Sequence, residues 1–252
     1  HNRRGVAIIQ FHMYTRSHLL LLPFIALLNA SCQHKQQVAP ISTIDSTLQT
    51  NATAILESKL SEINAQSGQV IVMEVQSGQI KALVGLTRKD STDYQSCENF
   101  SVWQSTGLMH PISLLAALET GKVKLSDKVD TGNGIYQVHG RELKDHNWHR
   151  GGYGELTVQE GLAASSNIAI YKTMEKAFAN NPQAYFDLLA NMSYGKPDSI
   201  TGIANLKPAY FITPKDNNWA KSDFAWSSIG YNQHVSPIQI LTFYNAIANN
   251  GK

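Results

Sequence analysis

Cysteine is scarce in this sequence: Cys32 and Cys97 are its only thiols in 252 residues. Their settings differ. Cys32 ends an apolar run, whereas Cys97 sits in the polar stretch Tyr94-Gln95-Ser96-Cys97-Glu98-Asn99. A disulfide framework is therefore not expected, and a hydrophobic core must hold the fold. Net charge is also small, formally +2. No basic stripe with interleaved aromatics appears, which argues against nucleic acid as a partner. The apolar block at 19–28 is shorter than the roughly 20 residues a membrane-spanning helix needs. Internal repeats and low-complexity tracts are lacking too. What remains is a chain that is 42% hydrophobic, enough for one sizeable core in one domain or slightly more.

The N-terminal region reads as a targeting segment. From Met13 a short basic stretch with Arg16 and His18 precedes the apolar block, and Asn29-Ala30-Ser31-Cys32 follows. This is the pattern of a secretory signal. Ala30-Ser31-Cys32 also resembles a bacterial lipobox, which implies cleavage before Cys32 and lipid on its sulfur. Asn29 stands where such motifs carry an aliphatic residue, so an ordinary signal peptide and an uncleaved anchor stay open as readings. Acyl chains at Cys32 would hold the protein stably at a membrane surface. The expected organisation is thus residues 1–32 as upstream sequence and signal, 33–42 as a tether and 43–252 as the folded domain.

Periodicity then predicts alternating element types. Leu48, Ala52, Ile55, Leu56, Leu60 and Ile63 recur at three- and four-residue steps, an apolar helix face ending near Gln66-Ser67-Gly68. Val70 to Met73 and Ile80 to Val84 flank the turn Gln76-Ser77-Gly78-Gln79, a hairpin signal. Pro111 to Leu118 reads as a short apolar helix stopped by Gly121, and a loop rich in Gly, His and Trp runs on to Gly154. Thr157-Val158-Gln159-Glu160 is a capping box. Asn181-Pro182 and Ser236-Pro237 each place a capping residue before a proline, at the start of two further helices. One hairpin among many helices predicts an α+β fold.

Four stretches carry a resemblance. They are Ser42-Thr43-Ile44-Asp45-Ser46-Thr47-Leu48-Gln49; the hairpin from Gln69 to Gly85; Gly154-Glu155-Leu156-Thr157 through Ser165-Ser166-Asn167-Ile168-Ala169; and Ser227-Ser228-Ile229-Gly230 through Ala246-Ile247-Ala248-Asn249-Asn250-Gly251. In order and spacing over 42–252 they resemble the transpeptidase domain of penicillin-binding proteins, of the monofunctional class B type, within the serine β-lactamase-like superfamily. The resemblance implies an antiparallel sheet flanked by helices. It also implies acyl transfer on the D-Ala-D-Ala stem peptide of peptidoglycan, acylation by β-lactams, no cofactor, and a site outside the cytoplasm. In that chemistry a serine attacks, and a lysine one helical turn later makes it easier to deprotonate. Ser-x-Asn relays protons and holds the substrate amide. A Lys-Thr/Ser-Gly strand lines the oxyanion hole.

The motifs are unevenly kept. Ser165-Ser166-Asn167 matches Ser-x-Asn, which points to Ser165 and Asn167 as site residues; a polar helix junction is the plainer reading, since Ser and Asn favour helix starts. In Trp103-Gln104-Ser105-Thr106-Gly107-Leu108-Met109-His110-Pro111, alignment on Pro111 puts Gly107 at the nucleophile position and His110 at the lysine position. Gly107 cannot be acylated. A slip of two residues offers Ser105, with Leu108 in the place of lysine. The one true Ser-x-x-Lys, Ser193 to Lys196, precedes Pro197 and follows the Ser-x-Asn region, which is the wrong order. The Lys-Thr/Ser-Gly strand does not occur before Lys252, so the later strands are expected to be missing and the hairpin to keep an open edge.

His139, His146 and His149 crowd one loop with Asp145. Tyr153 stands where some relatives place a metal-binding histidine, and no cysteine precedes Ser165, so solvated histidines are expected and no metal site. Trp148 and Tyr153 read either as a platform for sugar or peptide or as loop anchors. Three functions stay open: an impaired family member that binds stem peptide or a cell-wall partner; an active D,D-transpeptidase using Ser165, or Ser105, with His110; and a scaffold lipoprotein.

Overall fold

The computed structural model describes residues 9–12, 43–91, 93–100, 107–196, 203 and 206–251. Cys32 with its leader motif, the tether and Ser105 lie outside the described residues. Along the chain run β1 (Ile9–His12), α1 (Ser46–Glu62), β2 (Ser67–Met73), β3 (Ile80–Arg88), β4 (Tyr94–Ser96), α2 (Met109–Glu119), β5 (Lys128–Asp130), β6 (Ile135–Val138) and β7 (Arg141–Lys144). A short 3-10 turn (Trp148–Arg150) follows. Then come β8 (Glu155–Thr157), α3 (Val158–Ala163), α4 (Asn167–Phe178), α5 (Gln183–Asn191), β9 (Tyr210–Phe211), α6 (Asp223–Ser228), β10 (Gln233–His234) and α7 (Pro237–Ala248). The class is α+β, and its strand pairs are antiparallel. The described residues fall into two units. One lies within His1–Val102, Pro197–Lys207 and Ser236–Lys252, the other within Trp103–Lys196 and Pro208–Val235.

The first unit is a sheet in the order β1-β2-β3-β4 with helices α1 and α7. Asp45 caps α1 by accepting the Leu48 amide at 3.0 Å, which satisfies one of the amides a helix start leaves free. Leu56 and Leu60, one turn apart, are buried with Val70, Val84 and Leu86 of the sheet. The buried stripe is narrower than the periodicity implies: Leu48 is 42% exposed and Ile55 59%. Leu48 sits in the first turn, and Ile55 points about 100° round the helix from Leu56. The helix stops at Ile63, and Ser67 already belongs to β2.

Successive residues of β2 face opposite ways. Val70 joins the α1 cluster, whereas Ile71 and Met73 join Ile80, Ile238 and Leu241 in a second cluster built on α7. Burial on both faces explains why the strand reads as an unbroken apolar run. The hairpin ladder runs from Ser67↔Thr87 to Met73↔Ile80. The edge expected to be open is paired by β1 from Ile9↔Val70 to His12↔Ser67. α7 starts as expected, with Pro237 in its first turn and a capping box between Ser236 and Gln239.

The second unit is mainly helical. α2 packs against α4, α5 and α6, burying Ile112 and Leu114 from α2, Ile168 and Met174 from α4, and Tyr185 and Leu189 from α5. One polar chain crosses this core. Ser113 donates to the Ser228 carbonyl at 2.7 Å, so its hydroxyl oxygen is free to accept from Tyr185 at 2.9 Å. Burial pushes the Tyr185 phenol well above the usual tyrosine range.

The stretch to Gly154 expected as loop holds β5, which pairs with β8 just beyond it, and a β6–β7 hairpin. The hairpin turns on His139 and Gly140, with φ of 48° and 80°. Two positive φ values suit the right-handed twist of the strands, but a histidine at the first position hides the usual Asn-Gly signal. The Thr157–Glu160 capping box forms as expected. The Asn181 cap does not. Pro182 occupies the boundary itself, no side chain caps α5, and Asn181 contributes its carbonyl to the Ala184 amide at 3.1 Å. Gly161 has a packing reason: a Cβ there would lie 2.5 Å from the Ala169 Cβ, so α3 and α4 approach more closely than any larger residue allows.

Candidate active site

Two turns of the second unit build the site. The first enters α2. The His110 amide closes it on the Gly107 carbonyl at 3.1 Å, which leaves the His110 side chain in the first turn of the helix and 2% exposed. The second enters α4. Ser165 adopts φ 52°, Ser166 is the N-cap and Asn167 the first helical residue. Ser-x-Asn therefore straddles a helix junction, which is where Ser and Asn are favoured.

A buried carboxylate holds the second turn. Asp145, just after β7 and 0% exposed, accepts from the Ser166 hydroxyl at 2.8 Å and from the Ile168 amide at 3.0 Å. The Ser166 oxygen in turn accepts the Ala169 amide at 3.0 Å. A carboxylate at a helix N-terminus is also favoured by the helix dipole. The sequence reading placed Asp145 beside histidines as a metal question; its place in the structure is as the clamp of α4. An Asp some twenty residues before a Ser-x-Asn junction leaves no local pattern, and pairing of this range emerges only in the folded chain.

The turns meet through three side chains. The Ser165 Oγ lies 3.2 Å from His110 Nδ1, and His110 Nε2 lies 3.1 Å from Asn167 Oδ1. Asn167 Nδ2 donates to the Lys144 carbonyl at 2.8 Å. That bond fixes every proton in the chain. A carbonyl can only accept, so Nδ2 faces Lys144 and Oδ1 faces His110. The Nε2 atom must then carry the imidazole proton, Nδ1 is a bare acceptor, and the Ser165 hydroxyl donates to it. Burial lowers the His110 pKa to about 4, against a smaller upward pull from Asn167, so the ring is neutral at pH 7 as this chain requires.

Gly107 stands at the same place. A Cβ on it would lie 3.5 Å from Ser165 Oγ, 3.8 Å from His110 Cε1 and 4.0 Å from His110 Nδ1. These are ordinary contacts, and Gly107 is not among the residues with positive φ. Space and backbone both admit a side chain, and the residue supplies none.

Against known families, residues 68–252 match the model of the penicillin binding protein transpeptidase domain. The chain belongs to this family. It is similar to the probable peptidoglycan D,D-transpeptidase PbpC of Pseudomonas aeruginosa, 26% identical over 83% of this chain and 37% of that protein. It is also similar to the probable peptidoglycan D,D-transpeptidase PenA of Neisseria flavescens, 24% identical over 84% of this chain and 52% of that protein. The chain thus spans between a third and about half of these curated relatives. Among solved structures, a peptidoglycan glycosyltransferase from Burkholderia ambifaria superposes with a TM-score of 0.69 at 27% identity, over 83% of this chain and 61% of that one. The transpeptidase domain of penicillin-binding protein 3 from Burkholderia pseudomallei gives 0.68 at 25%, over 83% and 58%.

The other candidate residues of the chain sit apart in role. Ser193 lies in a turn after α5, with φ 60°, so it does not share a helix face with Lys196. Tyr153 is half-buried; its hydroxyl donates to the Ala164 carbonyl at 3.3 Å and meets His146 Nε2 at 3.0 Å. It therefore braces the residue before Ser165. Trp148 is 45% exposed, with the Lys144 ammonium 4.7 Å from its ring centre. His139 lies in the β6–β7 turn, and His149 accepts from Arg150 at 3.2 Å. Among the described residues no His, Cys, Asp and Glu side chains group as a metal site, and no helix is long and apolar enough to cross a membrane. Cys97 is a free thiol.

Proposed function

We propose that this protein acts in peptidoglycan synthesis at the outer face of the membrane, binding stem peptide or a cell-wall partner while impaired in the family's Ser–Lys acyl transfer. One observation carries the reading. The Ser-x-Asn half of the site is assembled around a position, Gly107, that has room for a nucleophile and none to offer. Loss of a nucleophile costs serine hydrolases on the order of 10⁶ in rate, whereas the polar groups that hold substrate are separate from it. Asn167, the exposed Trp148 and the half-buried Tyr153 are the groups to which the ligand is assigned. Export and anchoring through Cys32 belong to the same proposal and rest on the leader sequence alone.

Titration calorimetry with a soluble peptide ending in D-Ala-D-Ala, together with an assay for released D-alanine, tests it. Binding without release is expected, and Asn167→Ala should weaken binding. Release at the rate of an active D,D-transpeptidase would overturn the impairment. A folded protein that gives no heat of binding would leave the scaffold reading in its place.

A further inference from the structure

We propose that Ser165 is itself a nucleophile, with His110 as its general base and Asn167 as the residue that orients the base, so that the protein forms a covalent Ser165 adduct with activated esters and their phosphonyl analogues. The proposal deepens the reading above at the same site and concerns only its chemistry. Nucleophile, base and orienter are recognised by mutual geometry and not by order in the chain. Here the three side chains are linked by two atom pairs within hydrogen-bond reach, at 3.2 and 3.1 Å. The anchored Asn167 amide leaves only one direction for the protons, from Ser165 to Nδ1 and from Nε2 to Asn167. The burial pattern agrees with such a role. Ser165 is exposed to an incoming reagent, and the base behind it is buried. Ser165 also holds a left-handed backbone, with φ 52°. A non-glycine residue there is strained, and such strain persists where surrounding structure enforces it, often at reactive sites. The Asp145 clamp and the bond from the Ser165 amide to the Leu162 carbonyl, 3.0 Å, supply that enforcement.

The step balances without a further reactant. The Ser165 oxygen forms a bond to the ester carbonyl carbon as its proton passes to His110 Nδ1. The carbonyl reforms, the C–O bond to the leaving alcohol breaks, and that alcohol takes the proton from His110. Water then attacks the acyl-serine, gives a proton to His110, and Ser165 leaves with it. A base whose pKa has fallen to about 4 is weak at neutral pH. Good leaving groups are therefore required, and esters are favoured over amides.

An alkyl fluorophosphonate tests this on the full chain. The Ser165 oxygen would bond to phosphorus, fluoride would leave, and the proton would go to His110. Expected is one adduct, on the tryptic peptide that contains Ser165, abolished in Ser165→Ala. His110→Asn should slow labelling by about 10²-fold or more. Labelling should rise with pH through about 4 and then level off. Asn167→Ala should slow it and move that midpoint lower, because the Asn167 bond raises the His110 pKa, and Asn167→Asp should restore much of the rate. Circular dichroism checks that each variant is folded. A folded wild type with no adduct at Ser165, or equal labelling in folded His110→Asn, would overturn the proposal. The reagent needs no peptide site, so failure here leaves stem-peptide binding standing, and loss of that binding leaves this labelling standing.

Discussion

The turn into α2 and the turn into α4 face one imidazole, yet they have fared differently. The α4 turn keeps its serine and asparagine and is held by a buried carboxylate through two hydrogen bonds. The α2 turn supplies the imidazole, at the position where the family motif carries lysine, and has no side chain at Gly107. If Gly107 were required by the fold, a Cβ would clash or φ would be positive; neither is so. The difference teaches that the α2 turn has the space and the backbone for a side chain at position 107 and still carries none. Strain, by contrast, lies in the turn that kept its residues.

The largest effect should come from refilling the empty turn. Gly107→Ser places an oxygen beside His110, and general-base assistance is worth about 10²–10⁴ in rate. Intact mass after benzylpenicillin should show a new adduct on the peptide containing position 107. Gly107→Ser with His110→Lys, which rebuilds the family's Ser-x-x-Lys, should react faster still. No adduct in either folded variant would mean that more than the side chain was lost, and the comparison between the turns would fail.

The next effect comes from emptying the intact turn's clamp. Asp145→Ala leaves the Ser166 hydroxyl and the Ile168 amide without their partner. Hydrogen bonds to charged groups contribute about 1.5–3 kcal/mol each. A loss of about 4 kcal/mol is expected, which lowers Tm by roughly 8–16 °C for a chain of this size. Thermal unfolding followed by circular dichroism measures it. A shift of only a degree or two would show that the α4 turn holds its shape without Asp145.

These two turns also mark how far the sequence can be read. Ser165, Asn167 and the absence at Gly107 were visible because they are local patterns at known offsets from Thr157 and Pro111. The hairpin at β2–β3, the Thr157–Glu160 capping box and the Ser236-Pro237 helix start were visible for the same reason. Asp145 was not, since its role depends on a partner 21 residues away. The proton order through Asn167 was equally hidden, because it hangs on the Lys144 carbonyl, a main-chain atom with no sequence signature. The β6–β7 hairpin was missed because His139 takes a backbone conformation usually given to Asn or Gly.

A third effect separates the imidazole from both turns. His110 has a pKa near 4 in the folded protein, against about 6.5 when unfolded. The neutral ring contributes its full stability above pH 6.5. As pH falls, the unfolded chain takes up a proton that the folded one refuses, so stability declines from about pH 6.5 to 4. At 1.36 kcal/mol per unit the loss amounts to about 3 kcal/mol. Urea midpoints from pH 7 to 4 should follow this slope, and His110→Gln should flatten it. An unchanged slope in that variant would assign the acid sensitivity to other groups.

The smallest effect sharpens the comparison from the side of α2. That helix is anchored through Ser113, whose hydroxyl donates to the Ser228 carbonyl and accepts from Tyr185. Tyr185→Phe removes the donor and keeps the ring among its buried neighbours. Ser113 still has a partner for its proton, and a hydroxyl oxygen that loses one of its acceptor contacts is not stranded in the way that a buried amide is. The cost should be about 1 kcal/mol, the net worth of one neutral hydrogen bond, against about 4 kcal/mol for Asp145→Ala. Urea unfolding at pH 7 reads both. If Tyr185→Phe costs as much as Asp145→Ala, α2 is clamped as tightly as α4, and the room for a side chain at position 107 must come from the turn alone and not from the helix behind it.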